Sequence, residues 1–235
     1  MSERIVLVTG AAKRIGRGIA LRLAQEGFRV AIHYNRSRAE AERTAGECGA
    51  ELFQADLESV PGITRMFAEV GERLGGLHGL VNNAARFTRF DAMDITEKDW
   101  DFIHTVNLKA TFFCCQQGAL LMRKSGGGRI VNISSLGGIR PWAEHVHYCA
   151  SKAGVIMMTK ALAKALAPEI TVNSVAPGVI PFGDLDERAQ CMVDATPAGR
   201  PGTADEIANA VLYFLNATNF ITGQLIAVDG GLSLR

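Results

Sequence analysis

The chain has 235 residues, of which 48% are hydrophobic and 21% are charged, and its 25 basic residues nearly balance its 24 acidic ones. This composition excludes a disordered chain, and the net charge of +1 excludes a general attraction to nucleic acid or anionic lipid. No stretch reaches the ~18 uninterrupted apolar residues of a membrane span. The opening MSERIVLVTG enters a strand pattern directly, without the features of an export signal. We therefore expect a cytoplasmic protein with neither nucleic-acid nor membrane partners.

Short β-branched runs alternate with longer helical patterns along the chain. RIVLVTG is followed by RIGRGIALRLAQEG, then by FRVAIHY, SRAEAERTAGECG and AELFQADL, and the alternation ends at QLIAVDGG. Long helices are predicted at about 97–124 and 146–167. Repeated βα units predict an α/β fold with a doubly wound parallel sheet and helices on both faces, in a single domain over 1–235. The segment from about 179 to 201 is predicted to be an irregular substrate loop.

Cysteine and histidine do not indicate a metal site. The five cysteines form no CxxC pair and are too few for a disulfide scaffold. Adjacent Cys114 and Cys115 stand in an apolar stretch, where packing is the expected role. His145, His147 and Cys149 alternate like ligands, but they fall at a predicted helix start without a fourth ligand, so we expect no bound metal.

Glycines between the first strand and the first helix predict a phosphate site. Thr9 and Gly10 end the strand, Gly16 and Gly18 begin the helix, and Arg14 stands where a middle glycine is common. In a doubly wound sheet this turn lies at the carboxyl ends of the strands, where unpaired helix N–H groups favour a pyrophosphate. The pattern predicts a dinucleotide site, although an ordinary tight turn can have the same glycines.

The residues after the second strand predict which dinucleotide binds. Folds that prefer NAD place an acidic residue there, whereas this chain has Asn35, Arg36 and Ser37. Arg36 can form charge-assisted hydrogen bonds with a 2′-phosphate, and its two neighbours add donors. We therefore predict NADPH/NADP+ as the cofactor. The alternative is that Arg36 only begins a solvated helix.

Tyr148 and Lys152 stand four residues apart in the run YCASK, which places both side chains on one face of a helix. A nearby cation favours a phenolate, so the pair predicts a phenol whose pKa lies below the ordinary value of about 10. The same spacing is common on half-exposed helices. Its chemical meaning therefore depends on the rest of the chain.

Motifs in a fixed order resemble those of the short-chain dehydrogenase/reductase family over essentially the whole chain. They are TGAAKRIG, AD at 55–56, NNAA at 82–85, Asn107, SS at 134–135, YCASK and VAPG at 175–178. The resemblance implies an oxidoreductase with a Rossmann-type fold. Members of this family are commonly dimers or tetramers that pair two long helices, so a homo-oligomer, a tetramer or a dimer, is expected.

The resemblance implies catalytic roles for four residues. Tyr148 is the expected general acid, and Lys152 is expected to hold the nicotinamide ribose and lower the Tyr148 pKa. Ser135 is expected to steady the substrate oxygen, and Asn107 to support a relay water. Ser134 competes with Ser135 because adjacent residues at a strand end point to opposite sides, but the family spacing to the tyrosine selects Ser135.

The expected cofactor-binding residues join the glycine turn to positions that line the cofactor in the family. They are Gly10, Arg14, Ile15, Asn35, Arg36, Ser37, Asp56, Leu57, Asn83, Ala84, Tyr148, Lys152, Pro177 and Gly178. Asp56 is expected to accept from the adenine amino group, and Asn83 to stabilise the central strands. Many relatives carry Thr shortly after PG, where this chain has VIP, so backbone groups are expected to serve the phosphates there.

A narrower resemblance to pteridine reductases concerns the substrate. It rests on Arg14, the HYNRS run, Phe87 and the ending ITGQLIAVDGGLSLR, and in that group an arginine and an aromatic ring help to hold the pterin. Pteridine reductases generally carry Asp where this chain has Ser135, which moves the expectation toward ordinary carbonyl reduction. The expected substrate contacts are Arg14, Phe87, Ser135 and Phe182.

These observations predict an NADPH-dependent short-chain reductase that transfers hydride to a C=O or C=N bond of a small molecule. A pterin-like ring is one candidate substrate. A 3-oxoacyl thioester is the alternative. A non-catalytic NADPH-binding sensor or scaffold is an alternative of another class, but such a protein does not need the four catalytic residues together.

Overall fold

The computed structural model describes residues 4–234, which form a seven-stranded sheet between two layers of helices. The strands are β1 (Ile5–Val8), β2 (Arg29–Tyr34), β3 (Glu51–Gln54), β4 (Gly79–Asn82), β5 (Gly128–Ile133), β6 (Ile170–Pro177) and β7 (Leu225–Val228). Their spatial order is β3-β2-β1-β4-β5-β6-β7, and every neighbouring pair is parallel. This confirms the predicted doubly wound sheet. The order reverses between β1 and β4, and a crevice opens at the carboxyl ends of strands at such a point.

The helices follow the predicted alternation. They are α1 (Arg14–Gln25), α2 (Arg38–Cys48), α3 (Val60–Leu74), α4 (Glu97–His104), α5 (Thr111–Lys124), α6 (Val146–Leu166), α7 (Glu187–Asp194) and α8 (Ala204–Asn216). The predicted helix over 97–124 is helical throughout, with a π-helical segment at Thr105–Ala110 that joins α4 to α5. Within residues 4–234 no helix combines the length and apolar character needed to cross a bilayer.

The segment at 179–201 differs from the predicted irregular loop, because it contains α7. The Asp186 side chain accepts a hydrogen bond from the Ala189 N–H at 2.7 Å and so caps the N-terminus of this helix. Val193 on its inner face is buried. Prolines and mixed charge make the segment look irregular in the sequence, whereas one cap and one buried residue suffice for two helical turns.

Alternate residues of the central strands pack against opposite helix layers. Leu7 and Leu80 belong to a core with α3, α5 and α6, whereas Val6 and Val81 belong to a core with α1, α2 and α8. Strands buried on both faces read as continuous apolar runs, as β1 does. The cysteines at positions 114 and 115 are buried in the first core, which confirms their packing role.

The turn after β1 depends on two glycines. Gly10 has a φ of +62°, which is a conformation that favours glycine. A Cβ at Gly16 would lie 2.5 Å from Asn83 Nδ2 and 2.5 Å from the Gly10 carbonyl oxygen. The first turn of α1 can therefore approach β4 only because Gly16 has no side chain.

Replacing Gly16 with alanine is expected to lower the free energy of unfolding by about 1–3 kcal/mol, because the added methyl group must displace Asn83 or the turn. Chemical denaturation measures this change. Gly46→Ala is the matched control, since Gly46 lies within α2 and a Cβ there meets no atom within 4 Å. The free energy of unfolding of Gly46→Ala is expected to rise by about 0.5–1 kcal/mol. Equal stability of the two variants would contradict the steric account.

Candidate active site

One cavity of about 970 Å³ opens where the chain leaves β1, β4, β5 and β6. Every cofactor and substrate residue predicted from the sequence lines it, and so do Ser135, Tyr148 and Lys152. Asn107, the remaining predicted residue, does not line the cavity and lies beside it in the π-helical segment. The fold thus brings residues from Gly10 to Phe182 to a single site.

Side-chain hydrogen bonds join the ends of β1 and β4 at the base of the cavity. The Asn83 amide nitrogen donates to the Thr9 carbonyl at 2.9 Å and to the Gly10 carbonyl at 3.1 Å. The Thr9 hydroxyl oxygen accepts from the backbone N–H groups of Asn83 and Ala84, each at 3.0 Å. These bonds replace the sheet ladder where the two strands separate, in keeping with the strand-stabilising role expected of Asn83.

His33 supports the same turn, a role that the sequence interpretation missed. Its Nδ1 accepts from the Gly10 N–H at 3.1 Å, and its Nε2 lies 3.1 Å from the Ala55 carbonyl and so carries the proton. Burial lowers the pKa of His33 to about 4, so the ring is neutral. A histidine within a buried apolar strand was the available signal.

The far end of the cavity carries the residues that were predicted to select the dinucleotide. Arg36 is exposed at the cavity edge, and Ser37 lies beside it. The Asn35 amide donates to the Asp56 carboxylate at 3.3 Å instead of pointing away as an independent donor. Asp56 also accepts from the Glu58 N–H at 3.1 Å, which fixes its carboxylate at the cavity edge.

The two adjacent serines differ in orientation. The Ser134 hydroxyl donates to the Val175 carbonyl at 3.1 Å and accepts from Ser174 Oγ at 2.8 Å, so β6 holds it. Ser135 Oγ accepts from the Gly137 N–H at 3.1 Å and interacts with Tyr148. The geometry thus favours Ser135 over Ser134 as the serine that faces the tyrosine.

The electrostatics of Tyr148 and Lys152 differ from the prediction. Burial raises the pKa of Tyr148 to about 12, and the Ser135 hydroxyl opposes this shift only in part. Lys152 Nζ lies 5.9 Å from the centre of the Tyr148 ring and donates to the Ile133 carbonyl at 2.9 Å. Burial lowers the pKa of Lys152 to about 8. The spacing correctly predicts neighbours, but loss of hydration raises the pKa of Tyr148 instead of lowering it, so Tyr148 is a protonated phenol at neutral pH.

The Asn107 side chain is fully engaged with the protein. Its Oδ1 accepts from the Arg86 N–H at 2.7 Å, and its Nδ2 donates to the Arg86 carbonyl at 2.9 Å and to Ser151 Oγ at 3.2 Å. The Ser151 hydroxyl in turn donates to the Tyr148 carbonyl at 2.7 Å. Asn107 therefore links the π-helical segment to the first turn of α6.

Aromatic rings surround Tyr148 at the substrate end of the cavity. Phe87 meets the Tyr148 ring edge-on at 4.7 Å and stacks on His145 at 4.5 Å between centroids. Trp142 lies parallel to Tyr148 at 6.2 Å, with an interplanar angle of 6°. Phe87 is 59% exposed, so much of its ring faces the open cavity.

Two arginines connect the 179–201 segment to the rest of the cavity mouth. Arg14 has a φ of +57°, a strained conformation for a residue other than glycine, and its guanidinium lies 5.9 Å from the Phe182 ring. Arg188 on α7 forms an ion pair with Glu144, which also accepts two hydrogen bonds from Arg89 at 2.8 and 3.1 Å. The segment is therefore held at both of these points on the wall of the cavity.

The sequence interpretation missed several residues that line the substrate end. They are Trp142, Glu144, His145, Arg188 and Met192. Trp142 directly precedes a 3₁₀ segment at Ala143–His145, which contains Glu144 and His145, and the other two lie on α7. In segments this short, the sequence pattern does not mark which residues line a cavity. In residues 4–234 no group of three His, Cys, Asp or Glu side chains could hold a metal ion.

Comparison with known proteins agrees with this geometry. The family model described as "Enoyl-(Acyl carrier protein) reductase" matches residues 10–233. The chain belongs to the short-chain dehydrogenase/reductase family and is an oxidoreductase. Its curated relatives include the 3-oxoacyl-[acyl-carrier-protein] reductase FabG of Staphylococcus aureus, which is 39% identical over 238 residues that cover 96% of each chain.

Solved structures of related enzymes share the fold closely. The acetoin dehydrogenase YohF of Salmonella typhimurium is 34% identical, with a TM-score of 0.91 over 99% of this chain and 96% of that one. A variant of the actinorhodin polyketide ketoreductase, solved with NADPH, is 33% identical, with a TM-score of 0.92 over 99% and 98% of the two chains.

The shifted pKa of Lys152 predicts a pH-dependent stability. The folded chain releases the Lys152 proton near pH 8, whereas the unfolded chain keeps it until about 10.5, so the unfolded state binds more protons between these values. The free energy of unfolding of the wild type, relative to Lys152→Met, is expected to rise across this window by at most about 1.4 kcal/mol per pH unit. Urea unfolding at pH 7, 8, 9 and 10 measures it. A constant difference between the two proteins would contradict a lowered pKa.

Proposed function

We propose that the protein is an NADPH-dependent reductase that delivers hydride to a C=O or C=N bond of a small molecule. The main support is the convergence of Ser135, Tyr148 and Lys152 in the same cavity as the glycine turn. A nucleotide sensor needs the turn but not a protonated phenol and a buried ammonium at the opposite end. This convergence favours an enzyme over a sensor or scaffold.

Three features of the cavity support NADPH as the cofactor. Gly10 and Gly16 let the turn after β1 and the first turn of α1 pack closely at the cavity, where backbone N–H groups at the start of α1 can bind a pyrophosphate. The Asp56 carboxylate, which accepts hydrogen bonds from Asn35 and Glu58, lines the cavity and would accept from an adenine amino group. Arg36 offers a cation to a 2′-phosphate, and no carboxylate occupies the last positions of β2. The solved ketoreductase that shares this fold contains NADPH.

Bound NADPH supplies a hydride from its nicotinamide. Pro177 and Gly178 line the cavity beside Ser135 and would flank that ring. Ser135 donates a hydrogen bond to the acceptor oxygen or nitrogen and so polarises it, and Tyr148 gives the proton. Lys152 uses one of its three N–H groups on Ile133, which leaves donors for a ribose hydroxyl.

Asn107 supports this chemistry from outside the cavity. Its side chain is committed to Arg86 and Ser151, so a relay water would have to use its backbone carbonyl. That carbonyl already accepts from the Thr111 hydroxyl at 2.8 Å and has a second lone pair.

Two substrate classes have support. The rings of Phe87 and Trp142, together with Arg14 at the cavity mouth, favour a flat, electron-rich ring such as a pterin, or a ketone on an aromatic scaffold. The similarity to the Staphylococcus aureus reductase favours a 3-oxoacyl thioester. Ser135 is compatible with both, since its hydroxyl can donate to oxygen or nitrogen.

We also propose a homo-oligomer, a dimer or a tetramer. Apolar side chains are exposed along the two long helices, including Phe112 and Leu120 on α5 and Val146 and Met157 on α6. Their burial against a second copy would remove this surface from water.

A substrate panel with NADPH tests the proposed activity. The assay measures the loss of NADPH absorbance in the presence of each of four compounds: a 3-oxoacyl thioester, a small diketone, an aromatic ketone and a dihydropterin. Tyr148→Phe is expected to cut kcat by a factor on the order of 10²–10⁴ while leaving NADPH affinity nearly intact, because the ring is kept and only the hydroxyl that gives the proton is lost. Ser134→Ala is the control and is expected to retain turnover. NADPH binding without turnover of any substrate would favour the sensor instead.

Arg36→Ala tests the cofactor preference. Loss of a charge-assisted contact to the 2′-phosphate is expected to weaken NADPH binding about tenfold or more and to leave NADH binding nearly unchanged. Titration calorimetry with both nucleotides measures this. Arg38→Ala is the matched control, because Arg38 is an exposed arginine that pairs with Glu42 on α2. An equal loss of affinity for NADPH and NADH would remove the argument for a 2′-phosphate site.

A further inference from the structure

Residues 87–90, here named the strap, lie a few residues after β4, and Phe87 at their start lines the substrate end of the cavity. Two histidines that precede Tyr148 in the sequence both contact Thr88 of the strap. His147 Nε2 lies 2.7 Å from the Thr88 hydroxyl, and His145 Nδ1 lies 2.9 Å from the Thr88 carbonyl. The side chain and the backbone of one strap residue are therefore both held by the start of α6.

The rest of the strap binds Glu144. The Phe90 N–H donates to the Glu144 carbonyl at 3.0 Å, and the Arg89 guanidinium binds the Glu144 carboxylate. The hydrogen bonds to backbone groups of the strap fix its path. The exposed ion pair between Arg89 and Glu144 adds little to the stability of this arrangement. The part-buried hydrogen bond between the Thr88 hydroxyl and His147 joins two side chains, so a substitution can remove it while the backbone bonds of the strap remain.

His147 is suited to a fixed hydrogen bond. Its side chain is fully buried and packs near Phe90, with 5.8 Å between ring centroids. Its Nδ1 has no hydrogen-bond partner among the described residues. A proton on that atom would be a buried unpaired donor, so the neutral ring carries its proton on Nε2 and donates it to Thr88. A buried donor with a single available acceptor holds that acceptor firmly.

The strap determines where Phe87 lies. Phe87 immediately precedes Thr88, and its ring meets Tyr148 edge-on at 4.7 Å while its face stacks on His145. The exposed part of this ring forms cavity surface beside the phenol. Displacement of the strap would therefore move a wall that contacts substrate, without moving Tyr148, Lys152 or the nucleotide turn.

We propose that Thr88 and His147 are a positioning pair that fixes the strap on the start of α6, and that the pair sets substrate affinity by holding Phe87 against Tyr148. The proposal rests on the reductase activity proposed above. Neither residue is catalytic, since Thr88 and His147 act on substrate only through Phe87.

Thr88→Val keeps the side-chain shape and removes the hydroxyl. It is expected to raise KM for the best substrate about tenfold, the effect of one lost hydrogen bond, with kcat changed less than about threefold and NADPH affinity unchanged. His147→Leu is expected to do the same. The double variant is expected to raise KM no more than either single variant does, because the two residues form one contact. Thr88→Ser and His147→Gln, which keep a hydroxyl and a donor near the Nε2 position, are expected to stay close to wild type.

Amide hydrogen exchange of residues 87–90 gives a readout that does not need turnover. Exchange at these amides is expected to be at least about tenfold faster in Thr88→Val and unchanged in the matched control Thr64→Val. The Thr64 hydroxyl donates to Val60 within α3, away from the cavity. Wild-type NADPH affinity verifies that each variant is folded. If His147→Leu does not fold, the test of the proposal rests on Thr88→Val alone.

The positioning pair is overturned if Thr88→Val has wild-type KM and wild-type exchange, or if the two substitutions act additively. A wild-type protein that turns over no carbonyl or imine substrate overturns the proposed function instead. In that case the exchange rates still decide whether Thr88 and His147 hold the strap.

Discussion

The separation of β1 from β4 is the constraint on which the rest of the site depends. Parallel strands satisfy each other's backbone groups only as long as they run together, and a crevice requires them to part. At the end of β1 the Thr9 and Asn83 side chains supply the missing hydrogen-bond partners, so the chain can turn away at Gly10 without leaving buried polar groups unpaired. The start of α1 then faces the crevice at close range.

At the end of the cavity that contains Tyr148 and Lys152, a different set of hydrogen bonds fixes the positions of the side chains. Lys152 extends from α6 to the end of β5, and Ser151 and Asn107 tie the same helical turn to the segment after β4. A buried ammonium with one carbonyl partner costs stability, and the apolar cores on both sides of the sheet offset that cost. The protein thus retains a locally unfavourable charge at a place where its chemistry can be used.

The architecture is predictable from the sequence because the relevant signals are local. Buried strands such as β1 are continuous apolar runs, and the spacing of Tyr148 and Lys152 follows from helix geometry alone. Trp142 and Glu144 could not be predicted, because their positions depend on contacts with distant segments and not on a period. The predicted direction of the Tyr148 pKa shift was also wrong, because spacing specifies neighbours but says nothing about loss of hydration.

The parallel arrangement of Trp142 and Tyr148 gives this protein a built-in optical probe. The chain has two tryptophans, and the other, Trp100, stacks on His104 on the exposed side of α4. Indole emission responds to the polarity and to the ring systems around it, so Trp142 fluorescence reports directly on whatever enters the cavity. A Trp100→Phe protein would therefore carry a single indole beside the phenol, and ligands without a chromophore of their own could be screened against it.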